Sequence, residues 1–380
     1  MVKIALIGWY GTETIGDRAI LAGLFHLFSE VYDGFETMLG SIYPFFTERT
    51  MLEDRAFLQL CSGKRELSVS LFNSLKIREL NAAIEKCDIL AVGGGPFFDS
   101  YCMFMLEYAF KLAKKKGKKT MVLGCGVGPL NKKLFQRTMI SVVNHSDVCV
   151  FRDERSQIQY NQVSGQKKDT FVSIDPAVFA VDIFKRCYSD IPVEKDQLIV
   201  NVRKFPSIYK HQSFYSEDEI DLRVQKLVAT IQHETDLKLY LVPMHYFEIG
   251  LDDRSLMNQW KQAGLIDISR VQNEPLNTAQ TMRVFAGSTL CVGMRFHAVL
   301  MQTMLCGKNI ILDYTDLEKG KIGGFLNQIR AMDHYSGTYI NLQQNWMEAI
   351  DYDPEPFRIP DGIVEEYRLI YIKALSAAVS

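Results

Sequence analysis

One local pattern recurs along this chain. A short, unbroken apolar run ends in a turn of glycines or charged residues, and the turn hands over to a helix. Residues 3–8, 87–92, 120–123, 148–151, 171–177, 198–203, 238–245, 289–292 and 309–314 are such runs. Apolar runs of this length between turn signals read as strands buried on both faces, which is the habit of parallel sheets. Helical patterns at 19–28, 78–86, 103–116, 134–145, 222–235, 253–264, 278–286 and 298–307 alternate with them. The alternation predicts an α/β fold built from doubly wound sheets. At 380 residues the chain exceeds what one core usually fills. The polar stretch 182–197, with Pro192, divides the pattern into two βα-rich halves that invite a cleft between them. The expected domains are 1–185 and 190–350, both Rossmann-like. A helical segment, 351–380, closes the chain with its helix at 363–378. Residues 35–86 are the least legible stretch.

Composition excludes several classes of function. A net charge of −2 and short basic clusters give no electrostatic reason to expect nucleic acid. No apolar run approaches the length that crosses a bilayer, and residues 1–8 read as a first strand, not a leader. The eight cysteines form no C-x-x-C pair, and several lie in apolar runs. Buried reduced thiols in a cytoplasmic protein are the simplest expectation, and no clustered ligands suggest zinc.

The turns at the carboxyl ends of the strands carry the chemistry, because ligands of open α/β sheets bind at that edge. The first turn holds Gly11, Gly16 and Asp17. Its glycines do not follow G-x-G-x-x-G. They have the spacing of a P-loop, but Asp17 stands where the lysine belongs, and a carboxylate there repels a triphosphate. Asp17 reads as a helix cap, a sugar ligand or a base. The second turn contains Gly93, Gly94, Gly95 and Pro96, with Asp99 beyond, and the third runs from Gly124 through Gly126 to Pro129. Arg152 opens a charged turn, Arg152-Asp153-Glu154-Arg155-Ser156, and Asp175-Pro176-Ala177 ends the strand after it. The sixth turn, Gly293-Met294-Arg295-Phe296-His297-Ala298, places an arginine and a histidine between a strand and a helix. A helix N-terminus has free N–H groups and partial positive charge, so a guanidinium and an imidazole there suit a carboxylate or phosphate. Either residue alone reads as a surface ion pair or a loop histidine; the pair favours an anion site.

These six pieces, in this order and with Tyr314 and a nearby lysine closing the set, resemble the polysaccharide pyruvyl transferases. The resemblance covers residues 3 to about 328. It implies a glycosyltransferase B-like fold and transfer of a pyruvyl group from phosphoenolpyruvate onto two hydroxyls of a sugar in a cell-surface glycan. The product is a ketal, with phosphate released. It implies that Arg152, Arg295 and His297 surround phosphoenolpyruvate, across a cleft between the halves. The chain departs from the family in the first loop. Thr14 stands where the family often has asparagine, and Arg18 where it has an acid.

The residues suit that chemistry. Phosphoenolpyruvate carries a carboxylate and a phosphate on a small frame, and arginine reads both bidentately. His297 is expected either to steady the leaving phosphate or to protonate the methylene carbon. Asp17, Asp99, Glu154 and Asp175 are candidates to activate the sugar hydroxyl, with Asp17 named as catalytic. Lys319 or Lys321 adds charge to the phosphate pocket. Gly11, Gly16, Gly94, Gly95, Gly126 and Asp175 are expected to line the cleft. No metal and no cofactor beyond phosphoenolpyruvate as co-substrate are expected, since guanidinium groups can neutralise the charge. The acceptor is a saccharide or a lipid-linked glycan; the second would bring the protein to the inner face of the membrane without a span. Two rivals stand beside this reading: a B-type glycosyltransferase using a nucleotide sugar, and an inactive glycan-binding relative.

Overall fold

The computed structural model describes every residue except 166–167, 195, 207–214, 248–249, 316–319, 345–349 and 378–380. The described residues fall into two compact units. The first comprises Met1–Glu13, Asp17–Ala180 and Gly362–Ser380. Its strands are β1 (Val2–Ile7), β2 (Phe35–Ser41), β3 (Val69–Asn73), β4 (Ile89–Gly93), β5 (Pro96–Phe97), β6 (Lys119–Val127), β7 (Val148–Phe151) and β8 (Phe171–Val172). They form one parallel sheet in the order β3-β2-β1-β4-β6-β7-β8, with β5 added beside β6. Ile4, Ala5, Leu6, Leu90, Ala91, Val122 and Val150 have no solvent exposure, as strands covered on both faces require.

The stretch 35–86 resolves into β2, two helices at Pro44–Glu53 and Arg55–Ser62, β3 and a helix at Ile77–Lys86. Its strands lie toward the edge of the sheet, and β3 has only one buried residue, Phe72. An edge strand with a wet face lacks the continuous apolar run that marks the central ones. The strand expected at 171–177 stops at Val172. Asp175 turns back to accept the Ala177 N–H at 3.0 Å and starts the helix Ala177–Cys187. The closing helix Ile363–Ala377 belongs to this first unit. Tyr371 donates to Ile174 O at 2.8 Å, and its ring meets Phe179 edge-on at 5.6 Å.

The second unit comprises Thr14–Gly16 and Val181–Asp361. Its strands are β9 (Gln197–Asn201), β10 (Lys238–Leu241), β11 (Ile268–Val271), β12 (Leu290–Gly293), β13 (Asn309–Asp313) and β14 (Tyr339–Asn341). All are parallel, in the order β11-β10-β9-β12-β13-β14. That is the 3-2-1-4-5-6 order of a dinucleotide-binding sheet. The helix Glu217–Thr235 begins with a capping box in which Ser216 and Glu219 bond each other's backbone. Its buried residues Ile220, Val224, Leu227, Val228 and Ile231 recur at helical spacing and pack on the sheet. Each such side chain contributes about 1.5–3 kcal/mol on burial. The short β11 and β14 and the helix Lys321–Gln328 were not expected from sequence. Gly323 and Gly324 weaken the helical signal of the last.

All eight cysteines are free thiols, five of them buried. No helix among the described residues is long and apolar enough to cross a membrane. In each sheet the chain reverses its winding beside the first strand, between β1 and β4 and between β9 and β12. Those two switch points are where such sheets hold ligands.

Candidate functional site

In the second unit the switch point is built from β9 and β12, where Asn201 stands opposite Gly293. Asn201 is fully buried; its Nδ2 donates to Val242 O at 2.9 Å and its Oδ1 accepts the Arg295 N–H at 3.1 Å. One amide therefore ties three strand ends together. Arg295 is the N-cap of the helix Phe296–Leu305, with an extended backbone and no capping hydrogen bond from its side chain. Its guanidinium reaches the buried carboxylate of Asp253 instead. Nε lies 2.7 and 2.9 Å from the two carboxylate oxygens, and Nη2 lies 2.6 Å from one of them. Nη2 also donates to Leu251 O at 3.2 Å. Nη1 donates to none of the described residues. Asp253 further accepts the Met244 N–H at 3.1 Å, so the carboxylate is anchored before it orients the arginine.

Arg203 follows β9 and comes to the same edge. Its guanidinium lies 5.5 Å from the ring centre of Tyr314, the residue after β13. Lys321, first residue of the helix Lys321–Gln328, brings its ammonium to 5.7 Å from the same ring and 5.8 Å from the Phe296 ring. Arg203, Arg295 and Lys321 thus surround one buried phenol, with Asp253 as the carboxylate that balances part of their charge. The electrostatics record the crowding. Burial, then the charge of Arg295, presses the Arg203 pKa down. Burial pulls the Tyr314 phenol up, but Lys321, Arg203 and Arg295 together outweigh it and bring it down to about 8. Positive groups gathered beside a helix N-terminus are suited to an anion.

His297 is already helical, while Arg295 is extended. The His297 ring meets Phe296 edge-on at 4.9 Å. Thr14–Gly16 belongs to this unit through its contacts: Thr14 Oγ1 lies 2.8 Å from His245 Nδ1, and Ile15 N donates to Met244 O at 3.0 Å. A Cβ on Gly16 would come within 1.9 Å of His297 Nδ1, so only glycine leaves room for the imidazole. Lys319 lies outside the described residues.

In the first unit, Arg152 is 4% exposed and its charge is spent internally. Its Nη1 lies 3.2 Å from the buried Asp175, and its Nε 3.6 Å from Asp153. Gly126 exists for this pair: a Cβ there would meet the guanidinium at 2.6 Å. The space beside Gly11, Gly94 and Gly95 is likewise filled by Ser41, Ile20 and Trp9 of the chain itself. Asp99 accepts backbone N–H groups of Asn131 and Lys132 at 3.2 Å, and Glu154 is an exposed residue in the first turn of the helix Glu154–Ser164. Asp17 sits in the first turn of the helix Ile15–Val31, where a carboxylate suits the helix dipole, and its charge bears on buried Tyr10. Arg18 is enclosed by Glu13, Glu53 and Asp54. At this sheet's switch point lies a small open pocket, lined by Ile7, Trp9, Val92, Phe97, Met103 and Leu106 among others.

Sequence reasoning named Arg295, His297 and Lys321 but passed over Arg203 and Asp253, which the structure sets beside Arg295. Arg203 carried the same signal as Arg295, an arginine at the end of a buried strand. Asp253 carried none, because an acid at a helix start reads as a cap, and that role falls to Asp252.

Comparison with known proteins adds family and fold. The model of the family described as polysaccharide pyruvyl transferase matches residues 15–315. No curated protein matches the chain by sequence. Among solved structures, it is similar to the UDP-N-acetylglucosamine 2-epimerase of Rickettsia bellii, at TM-score 0.57 and 12% identity, covering 100% of this chain and 96% of that one. It is also similar to the UDP-GlcNAc 2-epimerases of Neisseria meningitidis, bound to UDP-GlcNAc, and Methanocaldococcus jannaschii. Both score 0.54, at 12% and 11% identity, covering 99% and 97% of this chain and 99% of each of theirs. At such identities the likeness bears on fold alone, which is of the glycosyltransferase B-like class.

Proposed function

The chain belongs to the polysaccharide pyruvyl transferase family, and from that premise we propose that it transfers the pyruvyl group of phosphoenolpyruvate to a saccharide, forming a ketal and releasing phosphate. The acceptor is a sugar of a cell-surface polysaccharide or of its precursor, free or lipid-linked. The observation that carries this reading is the cation cluster of the second unit. Arg203, Arg295 and Lys321 gather around Tyr314, and Asp253 fixes the Arg295 guanidinium through Nε and Nη2. Phosphoenolpyruvate is a compact anion with a carboxylate and a phosphate, and it matches those cations.

In this reading Arg295 and Arg203 bind the donor's anionic groups, with Lys321 adding charge at the phosphate. His297 steadies the leaving phosphate. Asp17 activates an acceptor hydroxyl. Protonation of the methylene carbon makes C2 electrophilic, one sugar hydroxyl attacks it, phosphate leaves, and the second hydroxyl closes the ring.

The test is calorimetric titration with phosphoenolpyruvate, followed by mass spectrometry of a glycan incubated with donor and protein. Losing a charged hydrogen-bond partner costs about 1.5–3 kcal/mol, so Arg203→Ala should bind donor roughly 10- to 150-fold more weakly. Unchanged donor affinity in both Arg203→Ala and Arg295→Ala would sink the assignment. Stabilisation by a nucleoside diphosphate but not by phosphoenolpyruvate would favour a nucleotide-sugar enzyme instead.

A further inference from the structure

We propose that Tyr314 is the acid–base group of this site, delivering a proton to the methylene carbon of the donor; the inference rests on the donor reading above. Tyr314 is 2% exposed, and its ring stands between Arg203 and Lys321 at 5.5 and 5.7 Å. A donor drawn to those cations therefore comes to rest against the phenol.

The guanidinium groups and carboxylates around it are poorly suited to give up a proton. Arg203 and Arg295 are guanidinium groups, which do not deprotonate in proteins. Asp253 is a buried partner of Arg295. Asp313, on the strand leading to Tyr314, is closed off by Thr315 N at 2.7 Å, Thr315 Oγ1 at 2.5 Å and Tyr339 Oη at 2.6 Å. Lys321 faces the phenol from the next helix and acts on it by charge. The three cations bring the Tyr314 phenol to about 8, near the pH at which an acid works best. The backbone of Tyr314 is held as well: Gln343 Nε2 donates to its carbonyl at 2.7 Å.

The step balances. The phenol proton passes to the methylene carbon, which binds it with the π pair of the C=C bond. The electron-poor C2 takes a lone pair from one sugar hydroxyl. The C2–O bond to phosphate breaks with its pair going to phosphate, and the second hydroxyl closes the ketal. One hydroxyl proton returns to the phenolate and the other leaves on phosphate.

Field and function also couple in reverse. A dianion at the cations cancels the charge that acidifies the phenol, so donor binding should draw the phenol back to its neutral form. The experiment compares the full chain with Tyr314→Phe and Lys321→Ala. Ultraviolet difference titration should show one phenol ionising near pH 8, absent in Tyr314→Phe and shifted upward in Lys321→Ala. Calorimetry with phosphoenolpyruvate at that pH, in buffers of different ionisation heat, should show proton uptake in the parent and none in Tyr314→Phe. Tyr314→Phe should bind donor within about tenfold of the parent yet turn over roughly 10²- to 10⁴-fold more slowly. The alkaline fall in the parent's activity should move up in Lys321→Ala.

Wild-type turnover in Tyr314→Phe, or an alkaline limb that ignores Lys321→Ala, overturns the role. So does the absence of a phenol titrating near pH 8. If the parent binds no phosphoenolpyruvate, the donor reading fails and the role with it. The titration tells that case apart, since the acidic phenol would still be there.

Discussion

Asp253→Asn perturbs the second unit at the group that orients its cations. The Asp253 side chain has no exposure, and that of Arg295 has 13%. The carboxylate takes N–H bonds from Arg295 Nε, Arg295 Nη2 and Met244 N. Asparagine keeps the shape, loses the charge and turns one acceptor into a donor that faces a guanidinium. Removing one partner of a buried ion pair costs roughly 3–5 kcal/mol. The amide oxygen that remains and the partial exposure of Arg295 place the expected loss at the lower end, about 3 kcal/mol. For a unit of 150–250 residues that is a fall in melting temperature of roughly 6–12 °C. The variant's cluster also carries one more uncompensated positive charge, so an anion gains more by entering it. Inorganic phosphate should therefore raise the midpoint of Asp253→Asn more than that of the parent. The assay is thermal and urea unfolding followed by circular dichroism, with and without phosphate. A variant as stable as the parent, or equal stabilisation by phosphate in both, would refute the reasoning that Asp253 balances a cation cluster.

Three further perturbations probe separate parts of the structure. Gly16→Ala puts a methyl group 1.9 Å from His297 Nδ1, so the imidazole must move; turnover should fall sharply, with a stability loss of about 1–3 kcal/mol on unfolding in urea. Gly126→Ala, 2.6 Å from the Arg152 guanidinium, should destabilise the first unit by a similar roughly 1–3 kcal/mol, and structural determination should find the Arg152–Asp175 contact of 3.2 Å broken. Burial holds the Asp313 carboxyl above its ordinary range, against the pull of Thr315 and Tyr339. The folded chain therefore binds that proton more tightly than the unfolded chain. Its contribution to stability is full below the ordinary carboxylate range and is lost as pH rises through the folded pKa. Asp313→Asn should flatten that loss between acid and neutral pH; parallel stability profiles for parent and variant would count against it.

The central strands could be read from the sequence because burial on both faces leaves a continuous apolar run, as in β1, β4, β7, β9 and β12. Turn residues at their carboxyl ends then marked Arg295, His297 and Asp17, since the strand-to-helix handover is a local event. The edge strands β3, β11 and β14 were not readable, because a strand with a wet face and few residues has no distinctive period. Neither was the helix at Ala177–Cys187, which a carboxylate cap at Asp175 starts inside an apolar stretch.

By itself, then, the amino-acid order determined what depends on neighbours in the chain: the α/β class, the division into two βα-rich halves, and which turns carry charge. The tertiary structure alone decided how that charge is used. Arg152 and Arg295 look alike as residues that end buried strands. Folding sets Arg152 against Asp175 inside the first unit, and gathers Arg295 with Arg203, Lys321 and Tyr314 in the second. The physical reason is range. A strand or turn is specified over a few residues, whereas a field is the sum over groups brought together from β9, β12, β13 and two helices, and no local stretch contains that sum.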